Sequence, residues 1–292
     1  MAEAQSRLAK TQVQLAQGKQ VVKPSDAPSE ASAIQRLKAV IDRQDGYLRT
    51  IDLIDSRYRQ EEAVLEGVSE SLMRFQELAL QAANDTQDQL GRQAIAIEMR
   101  GLRDNLLDLV NTQDSDGHYL FAGGRNALPA YETVESGQFA YAGDRARMKI
   151  LVGDGRTVQV NRSGADTFQR AIRAQADGTS MGVDFFQSIH DLIVATEGGD
   201  NVAMSRGVNE IDQLHGGIVL ARAQIGADMK RLDSQRASLD QNILNLKTTL
   251  SEIEDLDYAT AITKMNQQLL SLEAAQGSFA KISQLSLFNY LN

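Results

Sequence analysis

The most regular pattern in the chain is an apolar stripe in which Ile51, Ile54, Tyr58, Glu61, Leu65, Val68, Leu72, Phe75, Ala79 and Ala82 recur at alternating steps of three and four, Glu61 alone being polar. That spacing holds side chains on one narrow helical face, the seam of a coiled coil rather than a helix sunk in a globular core. A second stripe, Ile211, Ile218, Ile225, Leu232, Leu239, Leu246 and Ile253, repeats every seven residues without a miss. Its companion row, Leu214, Ala221, Met229, Ile243 and Leu250, shifts one place after Ala221. The striped segments are of similar length and flank an insertion, so they must run antiparallel if they pair. The pattern predicts a mainly α chain with a β insertion: an elongated antiparallel helical rod carrying a small antiparallel β domain, with both termini at one end.

Punctuation places the elements. A helix over about Ala2 to Ala16 stops at Gly18, and Val21 to Pro28 reads as an extended connection in which Asp26 caps a long helix starting near residue 27. Asn84-Asp85-Thr86 breaks that helix, and a shorter one follows from about Asp88 to Asn111, with Leu102, Leu106 and Leu109 on one face. Residues 111–200 hold twelve of the 22 glycines. There the period changes, and His118 to Ala122, Phe139 to Tyr141, Met148 to Val152 and Thr157 to Val160 read as short strands between glycine turns. Helix resumes with Asp200 or Asn201 as its cap. The expected organisation is terminal helices over 1–25 and 255–292, a helical body over 26–122 and 183–254, and an outward β domain over 123–182 with hinges near Gly123 to Pro129 and Gly182.

Composition narrows the function. With 30 basic and 39 acidic residues the net charge is −9, which disfavours a general nucleic-acid binder or a binder of acidic membranes. The absence of cysteine removes disulfides, thiolate nucleophiles, iron–sulfur clusters and Cys-ligated zinc. The longest apolar runs are a few residues, so no membrane insertion and no cleavable secretory signal are expected. Only 5% of residues are aromatic, in keeping with long thin helices rather than a thick core. His118, His190 and His215 are far apart and at no ligand spacing. Asp114-Ser115-Asp116-Gly117 fails as a calcium loop, because Thr112 and Gly123 stand where Asp and Glu are required. The acidic turn Glu254, Asp255 and Asp257 reads as a helix cap rather than a metal site. No phosphate loop, dinucleotide fingerprint or nucleophile elbow occurs, so neither catalysis nor a cofactor is expected.

Several motifs carry a family resemblance. Gly18-Lys19 with Pro24-Ser25-Asp26-Ala27-Pro28, the segment Leu72 to Asn84, and Glu254-Asp255-Leu256-Asp257-Tyr258-Ala259-Thr260 resemble bacterial flagellins at both helical arms. Gly117-His118-Tyr119-Leu120-Phe121-Ala122-Gly123 and the tail Ser283 to Leu291 are similar to the hook-associated protein 3 family, the hook–filament junction branch of that superfamily. The resemblance implies a non-catalytic flagellar subunit, exported unfolded through the flagellar type III apparatus with the help of an export chaperone, located extracellularly in the bacterial flagellum. Its implied partners are hook-associated protein 1, flagellin and further copies of itself in a ring. It also implies that an N-terminal stretch preceding Ala2 is missing. The terminal helices would be poorly ordered in the monomer and fold when neighbours bury Leu8, Leu15, Ile262, Leu269, Leu272, Phe279, Ile282, Leu285, Leu287 and Phe288. Arg74, Glu77, Asp255 and Asp257 are the polar candidates for subunit contact. Gln76 stands where receptor-recognised flagellins carry Arg, so innate immune recognition is not expected. Alternatives are a filament-forming flagellin and, in a different class, a coiled-coil scaffold or adhesin whose β domain binds a ligand.

Overall fold

The computed structural model describes residues 2–84, 87–134, 138–175 and 178–288, with side chains described as far as Lys281. Its elements are α1 (Ala2–Gln17), α2 (Pro28–Ala82), α3 (Gln89–Val110), β1 (Tyr131–Thr133), β2 (Phe139–Tyr141), β3 (Lys149–Gly153), β4 (Arg156–Gln159), α4 (Gly164–Thr167), β5 (Ala171–Ala174), β6 (Ser180–Val183), α5 (Phe185–Gly198), α6 (Asn201–Glu254) and α7 (Tyr258–Phe288). The chain is therefore mainly helical with antiparallel β pairs, as the periodicity predicts. It forms two compact units, residues 1–46 with 238–292 and residues 47–237, and α2 and α6 contribute to both. No described helix is long and apolar enough to cross a membrane.

In the smaller unit α1 packs on α7, burying Leu8 and Thr11 of the first and Ala261 of the second. Helix α1 ends at Gly18, whose φ of +67° is a left-handed conformation and whose missing Cβ would lie 2.7 Å from the Tyr258 hydroxyl. The left-handed backbone favours glycine here, and any Cβ would also have to displace the Tyr258 hydroxyl.

The larger unit is built on α2. Its stripe from Ile51 to Ala82 is buried, and so are Ile211, Leu214, Ile218, Ile225 and Leu232 of α6. Ser69 with His215, Gln76 with Asp212 and Glu66 with Arg222 set the two helices antiparallel. Helix α3 begins where the Asp88 carboxylate accepts the Gly91 N–H at 2.7 Å and also runs antiparallel to α2, with Arg74 on Glu98 and Gly67 against Leu109. Helix α5 packs on α3, and Gly207 of α6 seats against Leu192 of α5. Phe121, Tyr131, Phe168, Phe185 and Phe186 meet largely edge to face at 5.0–5.9 Å, so the few aromatics are concentrated where the β pairs join the helices.

The middle of the chain keeps the expected antiparallel β character and departs from expectation in its detail. The β structure consists of three separate two-stranded sheets, β1–β2, β3–β4 and β5–β6. Leu120, Phe121 and Ala122 are all fully buried and make no strand; they plug the core, with Leu120 O held by Arg57 and Phe121 O by the Gly164 N–H. A run buried on every side has no alternation, which is why it reads falsely as a strand. The sequence pattern gives no strand at β1, β5 or β6 and no separate helix at α5; in β5 and β6, Ala171 to Ala174 and Ser180 to Val183 lack β-branched alternation. Gly182, expected near a hinge, lies inside β6. Gly123 has a φ of +72°, and a Cβ there would lie 2.3 Å from Asp144 O, so the glycine closing the 117–123 motif is demanded by packing as well as by backbone.

Candidate assembly surfaces

Chemistry in the smaller unit converges on Glu254, the last residue of α6. Lys19 approaches its Oε1 at 2.6 Å and Lys38 at 2.9 Å, while the side chain is 11% exposed. Beside it Gln20 N–H donates to Glu254 O at 2.8 Å and Leu256 N–H to Gly18 O at 3.0 Å, so the ends of α1 and α6 are stitched by backbone. The Lys19 ammonium, then Lys38, holds the Glu254 carboxyl below the ordinary carboxylate range, and the same bond raises Lys19. Asp257 accepts the N–H groups of Ala259 at 3.0 Å and Thr260 at 3.3 Å and the Thr260 hydroxyl at 2.6 Å. It is thus the cap of α7, and the bonds from Thr260 lower its pKa. Asp255 pairs by backbone with Lys19 and accepts the Ser251 hydroxyl.

The sequence candidates on the terminal helices fall into two groups. Leu8 is buried and Leu15 and Leu272 are half-buried, whereas Ile262, Leu269 and Phe279 are exposed along α7. Ile282, Leu285, Leu287 and Phe288 belong to α7, but their side chains lie outside the described residues. In the larger unit Arg74 and Glu77 are exposed on α2, and Arg74 donates to both Glu77 at 2.9 Å and Glu98 of α3 at 2.7 Å. Arg74 therefore ties α2 to α3 as well as facing solvent.

The sequence reading missed an ionic network inside the larger unit. Glu61, the polar member of the α2 stripe, has no exposure and takes Arg162 Nε at 2.9 Å, with Arg57 Nε at 3.3 Å. Arg162 also reaches Asp228 of α6 at 2.6 Å and lies 5.3 Å from the Tyr58 ring centre, while Arg57 holds Asp114 at 2.7 Å. Burial pushes the Glu61 carboxyl up to about 7, against the pull of Arg162 and Arg57. The signal was the single Glu in an apolar stripe; Arg57 stands four residues before it on the same helix, whereas Arg162 comes from 101 residues away and could not be paired by spacing. Asp114, Asp116 and His118 are mutually close, but Asp114 spends its oxygens on the Asp116 and His118 N–H groups and on Arg57.

Known proteins extend the picture. Residues 1–126 match the family described as the bacterial flagellin N-terminal helical region, and residues 208–291 the bacterial flagellin C-terminal helical region. The chain is 26% identical over 289 residues to flagellar hook-associated protein 3 of Salmonella typhimurium and 27% identical over 290 residues to that of Escherichia coli. Each alignment covers 94% of this chain and 90% of the relative. The crystal structure of flagellar hook-associated protein 3 from Legionella pneumophila superposes with a TM-score of 0.68 at 18% identity, over 75% of this chain and 98% of that one.

Proposed function

This chain belongs to the bacterial flagellin family, and we propose that it is a structural, non-catalytic subunit of the flagellum that joins hook to filament. It contacts hook-associated protein 1 on one side and flagellin on the other, and it self-associates in a ring. What supports this role most directly is the near end-to-end correspondence with relatives named hook-associated protein 3. Export through the flagellar type III apparatus, with a chaperone holding the chain before assembly, fits a polypeptide with no cysteine to form a disulfide ahead of threading.

Assembly would couple to folding of the terminal helices. Among the described residues α1 and α7 bury one large apolar side chain, Leu8, together with Thr11 and Ala261. A buried leucine contributes about 1.5–3 kcal/mol, while ordering backbone costs about 1–2 kcal/mol per residue. Such a pair needs further burial, and the exposed Ile262, Leu269, Leu270 and Phe279 offer the surface for it. A pull-down of hook-associated protein 1 and flagellin with the full chain and with a form lacking α1 and α7 tests the role. Capture is expected only with the full chain; capture that survives the deletion would refute assembly through these helices. Long self-sufficient filaments grown without a cap would favour a flagellin instead.

A further inference from the structure

Two helix faces in the larger unit are left uncovered among the described residues. On α3, Leu90 (76% exposed), Ala94, Ile97 (65%) and Gly101 fall on one line, continued by Asp104 and Asp108, all exposed. On α6, Gly216, Leu220 (67%), Ala223 and Ala227 fall on another, continued by Lys230 and Ser234, again all exposed. Gly101 and Gly216 meet nothing within 4 Å, although a mid-helix glycine costs about 0.8–1 kcal/mol relative to alanine. Packing inside the unit explains neither the bare leucines nor the open glycines.

The rows fit each other. They step identically along their helices, each apolar part about 16 Å long at 1.5 Å per residue. Set side by side in parallel, they alternate in bulk: Leu90 meets Gly216, Ala94 meets Leu220, Ile97 meets Ala223 and Gly101 meets Ala227. Beyond that, acidic Asp104 and Asp108 come beside basic Lys230. Lys230 has no ion pair among the described residues, and Asp104 has only its neighbour Arg103. The direction is right as well. Helices α3 and α6 both run antiparallel to α2, hence parallel to each other, and a rotation about an axis along the bundle preserves direction.

We propose that copies of this chain associate through these rows, the Leu90–Asp104 face of α3 on one copy packing against the Gly216–Lys230 face of α6 on the next. The inference rests on the ring reading above and gives that ring its lateral contact. Because the two surfaces differ, the contact is head-to-tail and propagates around a ring instead of stopping at a dimer. A single two-helix seam of this length falls short of the roughly 1,000 Å² that a self-sufficient interface buries, so the contact is weak until copies are held side by side.

Covalent trapping suits a weak contact, and the chain has no cysteine to interfere. The full-length double variant Asp104→Cys/Lys230→Cys, oxidised with purified hook-associated protein 1, should give a ladder of linked oligomers, and an equal mixture of the two single variants should give dimers only. Adding Ile97→Asp to the double variant should reduce the ladder at least tenfold. If copies co-sediment on hook-associated protein 1 but no 104–230 link forms, these faces are the wrong ones and the ring reading stands. If the chain neither associates nor links, both fail.

Discussion

A carboxylate with no solvent exposure in a coiled-coil seam is costly unless paired, and Glu61 is paired twice, by Arg57 and Arg162. Removing a partner should therefore be severe. Arg162→Ala takes one guanidinium from Glu61 and Asp228 at once and is expected to cost about 3–5 kcal/mol in urea unfolding. The pH dependence follows from the sign of the shift. The folded-state pKa of about 7 lies above the unfolded value of about 4.3, so the proton is held more tightly in the folded state. The stability this gives is complete below about pH 4.3 and is lost as the pH rises through about 7. Glu61→Gln does not titrate, so the melting temperature of wild type relative to Glu61→Gln should fall between about pH 5 and pH 8. A constant difference across that window would mean that the two arginines keep Glu61 ionised throughout.

At the scale of elements, glycines in α6 separate two kinds of constraint. Gly207 is packed, and a Cβ there would lie 2.7 Å from Leu192 Cδ1 and 3.1 Å from its Cβ. Gly216 is open. The same substitution should thus have opposite signs: Gly207→Ala is expected to destabilise by about 1–3 kcal/mol through overpacking, and Gly216→Ala to stabilise by up to about 1 kcal/mol through helix propensity. Thermal unfolding of both variants reads this directly. The joint at Glu254 belongs to this scale too, because two backbone bonds and Lys19 end α1 and α6 together while Lys38 ties α2 to the same carboxylate. Its lowered pKa makes the contribution present above the ordinary carboxylate range and lost as the pH falls through the folded value. Raised Lys19 loses its share only as the pH rises through its own folded value, above the ordinary lysine range. Glu254→Gln should accelerate amide exchange at Gln20 and Leu256 at neutral pH, and lowering the pH should do the same to wild type. Unchanged exchange would show that the backbone bonds suffice.

For the molecule as a whole, stability should be uneven. The larger unit buries the apolar stripe of α2, the aromatic cluster and the ionic network, whereas α1 and α7 share very little buried surface. Hydrogen exchange of the dilute monomer should show α1 and α7 opening with far lower protection than α2 or α3. Uniform protection would remove the case for folding coupled to assembly. An acidic chain with a net charge of −9 adds self-repulsion between copies, so association is expected to strengthen with salt, as light scattering at several ionic strengths would record.

The amino-acid sequence alone determined the long helices, the start of α3 near Asp88, the capping turn at Asp257, the buried seam and the flagellin resemblance. Each of these rests on local chemistry or on a period that repeats many times, and periodicity averages out single exceptions. Only the tertiary structure decided that Leu120 to Ala122 is a core plug, that the β structure is three separate pairs, and that Arg162 reaches Glu61. It also separated the glycines that touch something from those that touch nothing. Those outcomes depend on which distant segments meet, and a one-dimensional pattern carries no record of a partner a hundred residues away.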